Sequence, residues 1–301
     1  MKALLQKLSR DHRLTTGEYT SLIASGTSGL RQSADRVRRA QWGTRASLRG
    51  ILDVSSICQH DCLHCTQRCS ADPHIRYRLR PREILDLCEE AAALEIRSIV
   101  LRCGTDRFYS DEMLIGILDK LRRSYERLFN AGAEGYILLQ ETADRERYEA
   151  IHSENLSFDR RLHCLNEIRD VGFRTGCGFL AGLPGQTAKD LARELKFLEE
   201  FQPDLVELVT LDDNAALSEQ LLCLIRLILP QSVVTASGDA AANVLAGANL
   251  VSVSLSAGQT YPLCGGTRSC GPASIESLAA LRQQLAAVGF EVTTNPIPWN
   301  G

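Results

Sequence analysis

The chain has 301 residues, a length that suits one large α/β domain or two medium ones. Its net charge of -3 and pI near 6.1 argue against a nucleic-acid-binding protein, because no basic domain stands out. The sequence has no apolar run of the ~20 residues that cross a bilayer and no secretory signal, so we expect a cytoplasmic protein whose 11 cysteines indicate metal binding or catalysis better than disulfides.

The predicted elements begin with helices. The stretch Lys2–Arg39 has a helical pattern, and Thr15-Thr16-Gly17-Glu18 is a capping box that starts one of its helices. The first predicted strand is Ser47–Val54. Beyond it, strand-like and helix-like segments alternate, as in a mostly parallel sheet covered by helices. The further predicted strands are Ser98–Cys103, Glu134–Glu141, Phe173–Leu180, Leu205–Val209, Ser232–Ala236 and Leu250–Leu255.

Proline and capping signals place helices between these strands. Pro81 fits the first turn of a helix, and Thr187-Ala188-Lys189-Asp190 is a second capping box. Further helices are predicted over Leu217–Leu229, Ala240–Leu245 and Ser274–Val288, and a strand-like segment follows at Phe290–Val292.

Seven clear strands are one fewer than a complete (β/α)8 barrel requires. From Asp111 to Asn130 the apolar positions keep an unbroken helical period, which predicts one long helix where a regular barrel has helix, strand and helix. The sequence therefore predicts a TIM-barrel-like (β/α) fold that lacks one strand. We divide the chain into an N-terminal helical segment (1–45), the barrel (46–256) and a C-terminal loop and helix (257–301).

Three cysteines follow the first strand, in the stretch Cys58-Gln-His-Asp-Cys62-Leu-His-Cys65. Thiolates are soft ligands that suit iron–sulfur clusters. Three of them can hold three corners of a 4Fe–4S cubane, and the fourth iron then stays open to a ligand. An open iron that chelates S-adenosylmethionine (SAM) permits its one-electron cleavage to an adenosyl radical.

A zinc site is the alternative interpretation of these cysteines. Structural zinc usually takes four protein ligands, and the fourth could be His60, His64 or Cys69. We favour the cluster because the loop follows the first strand of a predicted barrel, and active sites of such barrels lie at the carboxyl ends of the strands.

The spacing C-x3-C-x2-C after a first strand resembles the signature of the radical SAM superfamily, and His64 stands at the usual aromatic position before the third cysteine. From about Arg36 to Tyr261 the chain is similar to the subfamily of the FeFe-hydrogenase maturase HydE and methylornithine synthase. The segments that carry this similarity are Leu48–Ile51, Leu101–Asp106, Leu138–Asp144, Ser157–Leu162 and Gly178–Thr187.

The resemblance implies roles for five residues besides the cysteines. Gly104 and Asp106 would lie at the turn that meets the amino group of SAM. Glu141 would accept hydrogen bonds from the ribose hydroxyls, and Arg161 would pair with the methionyl carboxylate, a geometry that its planar guanidinium suits. Gly178 would let its strand approach the adenine. No side chain is assigned a catalytic role.

The sequence departs from the family in several places. Thr105 stands where the family usually has an acidic residue, the third barrel strand is absent, and the loop at 211–214 is shorter than the family loop that lines the substrate cavity. We therefore expect the sheet to close imperfectly or to pair differently, with SAM binding more intact than substrate binding. Cys264 and Cys270 resemble remnants of an accessory cluster, but with no third cysteine nearby we predict no second cluster.

The predicted function is a radical SAM enzyme of the HydE type. It would act on a small-molecule or small organometallic precursor of the hydrogenase diiron centre, with a reductase or ferredoxin as electron donor. Two alternatives stay open: a substrate of the methylornithine-synthase or biotin-synthase kind, and a non-catalytic paralogue that keeps an iron–sulfur or zinc site.

Overall fold

The computed structural model describes residues 2–26, 29–71, 76–109, 134–170, 172–211, 214–256 and 273–297. The long helix predicted over Asp111–Asn130 lies outside these residues, as do Cys264 and Cys270 and the middle of the shortened loop at 211–214. Those expectations stay predictions.

Three helices precede the first strand: α1 (Lys2–Asp11), α2 (Thr16–Ala24) and α3 (Leu30–Trp42). The predicted capping box is present, because Thr15 Oγ1 accepts a hydrogen bond from Glu18 N and the Glu18 carboxylate accepts one from Thr15 N. Tyr19 and Leu30 are buried in the largest apolar core, so the helices cover part of the barrel wall.

All seven predicted strands have counterparts in the structure. The strands are β1 (Arg45–Ser55), β2 (Ile99–Cys103), β3 (Gly135–Ile137), β4 (Arg174–Cys177), β5 (Leu180–Ala181), β6 (Leu205–Thr210), β7 (Val233–Ala236), β8 (Leu250–Ser254) and β9 (Glu291–Thr293). Two of the predicted strands differ from the structure: Gly178 and Phe179 divide Phe173–Leu180 into β4 and β5, and β3 ends at Ile137, well before the predicted end at Glu141.

Seven helices lie between or after the strands. They are α4 (Pro81–Ala93), α5 (Arg145–Ile151), α6 (Phe158–Asp170), α7 (Ala188–Phe201), α8 (Ala215–Ile228), α9 (Ala240–Leu245) and α10 (Ile275–Ala287), counted within the described residues. Pro81 is the first residue of α4, and the capping box at Thr187 and Asp190 starts α7, as predicted. None of these helices has the length and apolar character needed to cross a membrane, as far as the described ranges extend.

The ladders between strands are parallel and form two sheets. One has the order β2-β1-β8, with β9 beside the start of β1, and the other has the order β3-β4-β6-β5, with β7 also on β6. Asn249, just before β8, links the sheets: its N donates to Val234 O at 3.0 Å and its Oδ1 accepts from Val234 N at 2.7 Å. On the opposite side, β2 and β3 are separated in sequence by residues 110–133, which are not described.

Side chains of β1 alternate between two environments, as the period of a strand requires. Leu48 lies in an apolar cluster with residues of α4 and α10. On the other face, Arg49 pairs with Glu207 of β6 at 2.8 Å and Asp53 pairs with Arg102 of β2 at 2.6 Å. Helices therefore cover the outer face of β1, while its inner face carries the charged pairs of Arg49 and Asp53.

Candidate active site

The cysteine loop leaves β1 at its carboxyl end and is tied to two neighbouring segments. Gln59 N donates to Thr105 O at 3.1 Å, in the turn after β2. Leu63 N donates to Ile151 O at 2.8 Å, at the end of α5. These bonds hold the loop across the carboxyl-terminal end of the strands, where barrel enzymes place their active sites.

The three loop cysteines are half-buried thiols that are not joined in disulfide bonds within the described residues. His60 N lies 3.5 Å from Cys58 Sγ, and Cys65 N donates to Cys62 O at 3.0 Å, so the backbone curls around the sulfurs. Burial raises the pKa of the Cys62 thiol. Such a thiol gives up its proton when a metal ion binds it. Three accessible thiols on one anchored loop fit the donor set of a 4Fe–4S cluster with one open iron.

Gly104 lies against the first of these cysteines. A Cβ at this position would be 2.7 Å from Cys58 Cβ and 3.1 Å from Cys58 Sγ. Glycine is thus required here by close contact with the loop. The contact with the SAM amino group that the resemblance implies remains a prediction.

The carboxylate of Asp106 is buried and fully engaged by protein donors. Arg78 donates to both of its oxygens at 2.7 and 2.8 Å, and Ser55 Oγ donates at 2.7 Å. The hydrogen bonds from Arg78 lower the pKa of Asp106 to about 2. Through these hydrogen bonds Asp106 fixes the turn after β2, and its low pKa keeps it negatively charged at neutral pH.

Glu141 lies at the centre of the site. Its backbone has a φ of 67° and extends the sheet: its N donates to Gly178 O at 3.0 Å and its carbonyl accepts from Leu180 N at 2.9 Å. Its partly buried carboxylate bonds to His152 Nε2 and lies 3.6 Å from His64 Nε2, on the cysteine loop.

The charge of Glu141 is stabilised by its neighbours. Arg161 Nη2 of α6 lies 3.9 Å from Glu141 Oε1. Burial disfavours the charged carboxylate, but the hydrogen bond from His152 and the charge of Arg161 outweigh it and lower the pKa of Glu141. The two residues expected at the ribose and carboxylate of SAM therefore lie side by side and are oppositely charged.

Two residues of this site were missed by the sequence reasoning. His152 stacks on Tyr148 with ring centroids 3.8 Å apart, and its Nδ1 lies 2.8 Å from Tyr148 O. Arg161 Nε donates to Tyr148 Oη at 3.2 Å. The only signal in the sequence is the spacing of four residues between Tyr148, on α5, and His152, the residue that directly follows this helix.

Gly178 lies beside Glu141 but is required for another reason. A Cβ here would be 1.9 Å from Glu207 O and 2.9 Å from Leu139 Cδ2. Because glycine has no side chain, the segment between β4 and β5 can lie directly against the backbone of β6. The approach to adenine that the resemblance implies remains a prediction.

The barrel interior below this site contains a buried cation with spare hydrogen-bonding capacity. Arg49 donates to Ser252 Oγ and to Glu207 Oε2, both at 2.8 Å, while its Nη1 has no hydrogen-bond partner among the described residues. Burial opposes the charge of Glu207, but Arg49 outweighs it and lowers the pKa of that carboxyl group. The barrel interior at this level therefore has one buried hydrogen-bond donor, Arg49 Nη1, that no described residue satisfies.

The chain is similar in sequence to a hydrogenase maturase. It is 31% identical over 223 residues to the FeFe hydrogenase maturase subunit HydE of Thermotoga maritima, a match that covers 68% of this chain and 64% of that protein. The chain thus spans slightly less than two thirds of the relative's length. No protein-family model matches the sequence.

Solved structures share the fold. The crystal structure of methylornithine synthase (PylB) has a TM-score of 0.82 at 21% identity, covering 96% of this chain and 97% of that chain. The FeFe-hydrogenase maturase HydG from Carboxydothermus hydrogenoformans has a TM-score of 0.78 at 20% identity, covering 98% and 79%. These similarities confirm the predicted α/β, TIM-barrel-like fold class.

Proposed function

Because the chain belongs to the radical SAM superfamily as a homologue of HydE, we propose that it binds one 4Fe–4S cluster and cleaves SAM reductively. One observation carries the proposal: the cysteine loop, Glu141 and Arg161 meet at the carboxyl end of the barrel strands, with His64 in contact with Glu141. The cysteine loop, Glu141 and Arg161 lie far apart in the sequence, and only the folded chain brings them together.

Cys58, Cys62 and Cys65 would hold three of the four irons, as three thiolates on one loop can. When bound there, the cluster supplies the single electron that splits SAM into methionine and a 5′-deoxyadenosyl radical. The protein's own contribution is to anchor the loop through Gln59 and Leu63 and to leave one iron accessible.

Charged residues around the loop would orient SAM. Glu141 is ionised and can accept hydrogen bonds from ribose hydroxyls, and Arg161 can pair with the methionyl carboxylate through its planar guanidinium. Gly104 and Asp106 would shape the turn at the amino group, and Gly178 would lie at the adenine. The side chains of Arg161 and Glu141 are only 18% and 12% exposed, and reduced contact with water strengthens both interactions.

We further propose a role of the HydE type, in which the radical acts on a small molecule or small organometallic precursor. The sequence similarity to HydE and the polar interior around Arg49 and Glu207 support it. A reductase or ferredoxin would deliver the electron. A methylornithine-synthase-like substrate would use the same interior, and product analysis with each class of precursor separates the two.

Anaerobic reconstitution tests the cluster. We expect the wild-type chain to take up iron and sulfide equivalent to one 4Fe–4S cluster, and Cys58→Ala to lose it. Cys164→Ala is the matched control, because Cys164 is also free and half-buried but lies on α6. Equal loading of Cys58→Ala and the control would disprove the assignment.

SAM cleavage tests the activity separately. Dithionite-reduced, cluster-loaded chain is expected to form 5′-deoxyadenosine, and Arg161→Lys and Glu141→Gln to need more SAM for the same rate. A loaded cluster without any 5′-deoxyadenosine would contradict catalysis and favour the non-catalytic iron–sulfur paralogue.

A further inference from the structure

Two imidazole nitrogens converge on one carboxylate oxygen beside the cysteine loop. His152 Nε2 bonds to Glu141 Oε2, and His64 Nε2 lies 3.6 Å from the same oxygen. The three side chains come from the end of α5, the segment after β3 and the cysteine loop, and their ligand atoms lie within 4.8 Å of one another. We refer to His64, Glu141 and His152 as the His–Glu–His cluster.

The hydrogen bonding of His152 leaves a cation position in this cluster. Its Nδ1 lies 2.8 Å from Tyr148 O, a carbonyl that can only accept, so Nδ1 carries a hydrogen. In the neutral ring Nε2 then directs a lone pair at the Glu141 carboxylate. The two hydrogen-bond acceptors, His152 Nε2 and the Glu141 carboxylate, then repel each other unless a cation lies between them. Either a proton or a metal ion can be this cation.

The donor set and its surroundings suit a transition metal. Imidazole nitrogens and a carboxylate oxygen are ligands of zinc and of similar divalent ions. The bond from His152 Nδ1 to a backbone carbonyl is the outer-shell contact that metal-binding histidines usually make. The His64 side chain is 4% exposed, and its Nδ1 has no hydrogen-bond partner in the described part of the chain.

We propose that the His–Glu–His cluster binds a divalent transition metal of the zinc class through three protein ligands, with a fourth position open to water. The positive charge of Arg161, 3.9 Å from the other oxygen of Glu141, reduces the affinity below that of a structural zinc site. Metal binding also withdraws Glu141 from the SAM ribose, so metal and SAM compete. This last point rests on the proposed function.

Cobalt(II), which reports its ligands optically, is the probe for this site. The titration uses the chain with Cys58, Cys62 and Cys65 changed to alanine, so that loop thiolates cannot bind the ion. We expect one Co²⁺ per chain, with visible d–d bands and no thiolate charge-transfer band. His152→Gln, Glu141→Gln and His64→Gln are each expected to weaken binding by about tenfold or more.

His163→Gln is the matched control, because His163 is 67% exposed and lies 3.2 Å from Glu167 on α6, outside the His–Glu–His cluster. Thermal melting of each variant shows that it is folded, and His64→Gln, on a loop, perturbs no helix or strand. Binding that survives both His64→Gln and His152→Gln, or that shows thiolate ligation, overturns the proposal. Such a result would show that a proton, and not a metal ion, lies between His152 Nε2 and the Glu141 carboxylate.

Competition is measured with Zn²⁺ on the cluster-loaded wild-type chain. Zn²⁺ is expected to raise the SAM concentration needed for half-maximal 5′-deoxyadenosine formation, and an unchanged SAM requirement overturns the competition. The cobalt titration does not depend on SAM cleavage. A chain that binds Co²⁺ as described but forms no 5′-deoxyadenosine therefore refutes the proposed function and supports the metal site.

Discussion

Glu194 of α7 is a buried carboxylate that holds the turn after Glu141. Both of its oxygens accept from Ala143 N at 2.8 Å, and Thr142 Oγ1 donates to Oε1 at 2.7 Å. Burial is the largest influence on this group and raises the pKa of Glu194 from 4.5 to about 7. The folded chain therefore keeps a proton on Glu194 at pH values where the unfolded chain has lost it.

This proton makes stability depend on pH. Between pH 4.5 and about 7 the native state binds more protons at Glu194 than the unfolded state, so the free energy of unfolding falls as pH rises. Above about pH 7 Glu194 is ionised in the folded chain as well, and the loss of folding stability has reached its full size. A pKa shift of about 2.5 units corresponds to a loss of roughly 3 kcal/mol. Glutamine cannot ionise, so we expect Glu194→Gln to lack this slope.

The assay is urea unfolding of the reduced, cluster-free chain from about pH 4.5 to about pH 8, for wild type and Glu194→Gln. The free energy of unfolding of the variant relative to wild type is expected to rise by about 3 kcal/mol over this interval. Glu200→Gln is the control, because its carboxylate lies on the same helix but is 69% exposed. Parallel pH profiles for wild type and Glu194→Gln would refute the reasoning.

Three further substitutions test the packing around the site. Gly104→Ala would put a Cβ 2.7 Å from Cys58 Cβ, so we expect it to reduce iron uptake on reconstitution more than it reduces stability. Gly178→Ala would put a Cβ 1.9 Å from a carbonyl oxygen of β6, so we expect a loss of about 3 kcal/mol or more in urea unfolding. Arg78→Gln leaves the buried Asp106 without its ion pair, which should raise the pKa of Asp106 from about 2 and lower the free energy of unfolding at pH 7 by an amount that solvent screening at the exposed Arg78 keeps small. In the wild type this contribution is lost as pH falls from about 4 through 2, so the two chains should converge in acid.

A matched control exists for the two glycine substitutions. Gly17 lies in α2, and among the described residues no atom beyond its chain neighbours and the backbone of its own helix lies within 4 Å of the place that a Cβ would take. Gly17→Ala should therefore leave iron uptake unchanged and slightly stabilise the helix. Iron uptake by Gly104→Ala equal to that of Gly17→Ala would contradict the packing argument. For Arg78→Gln, the free energy of unfolding is compared with that of wild type. A difference that stays constant between about pH 7 and about pH 2 would contradict the role of the Asp106 ion pair.

Local sequence patterns were sufficient to predict an element wherever the contacts that determine it lie within a few residues of one another. The capping boxes at Thr15 and Thr187 start helices as predicted, and Pro81 begins α4. The strands were found because apolar runs and turn residues alternate along the chain. The cysteine loop was recognised for the same reason, since three thiol ligands within eight residues form a local pattern.

Contacts between distant segments could not be derived in this way. Gly178 was expected at a ligand, which stays a prediction, and the structure adds a second requirement for glycine, because Glu207 O on the neighbouring strand β6 excludes a side chain there. Apart from its spacing of four residues from Tyr148, nothing in the sequence indicates a role for His152, and only the fold puts its Nε2 against Glu141. Glu194 resembles any helical glutamate until its burial against Ala143 is seen.

The sequence by itself determined the strands, the helix starts and the loop that presents Cys58, Cys62 and Cys65, because each depends on neighbouring residues. Only the tertiary structure decided which charges face one another at the carboxyl end of the barrel. Glu141 has a lowered pKa and Glu194 a raised one, although burial opposes the charged form of both glutamates. The difference comes from the partners that the fold provides: His152 and Arg161 beside Glu141, and neutral donors beside Glu194.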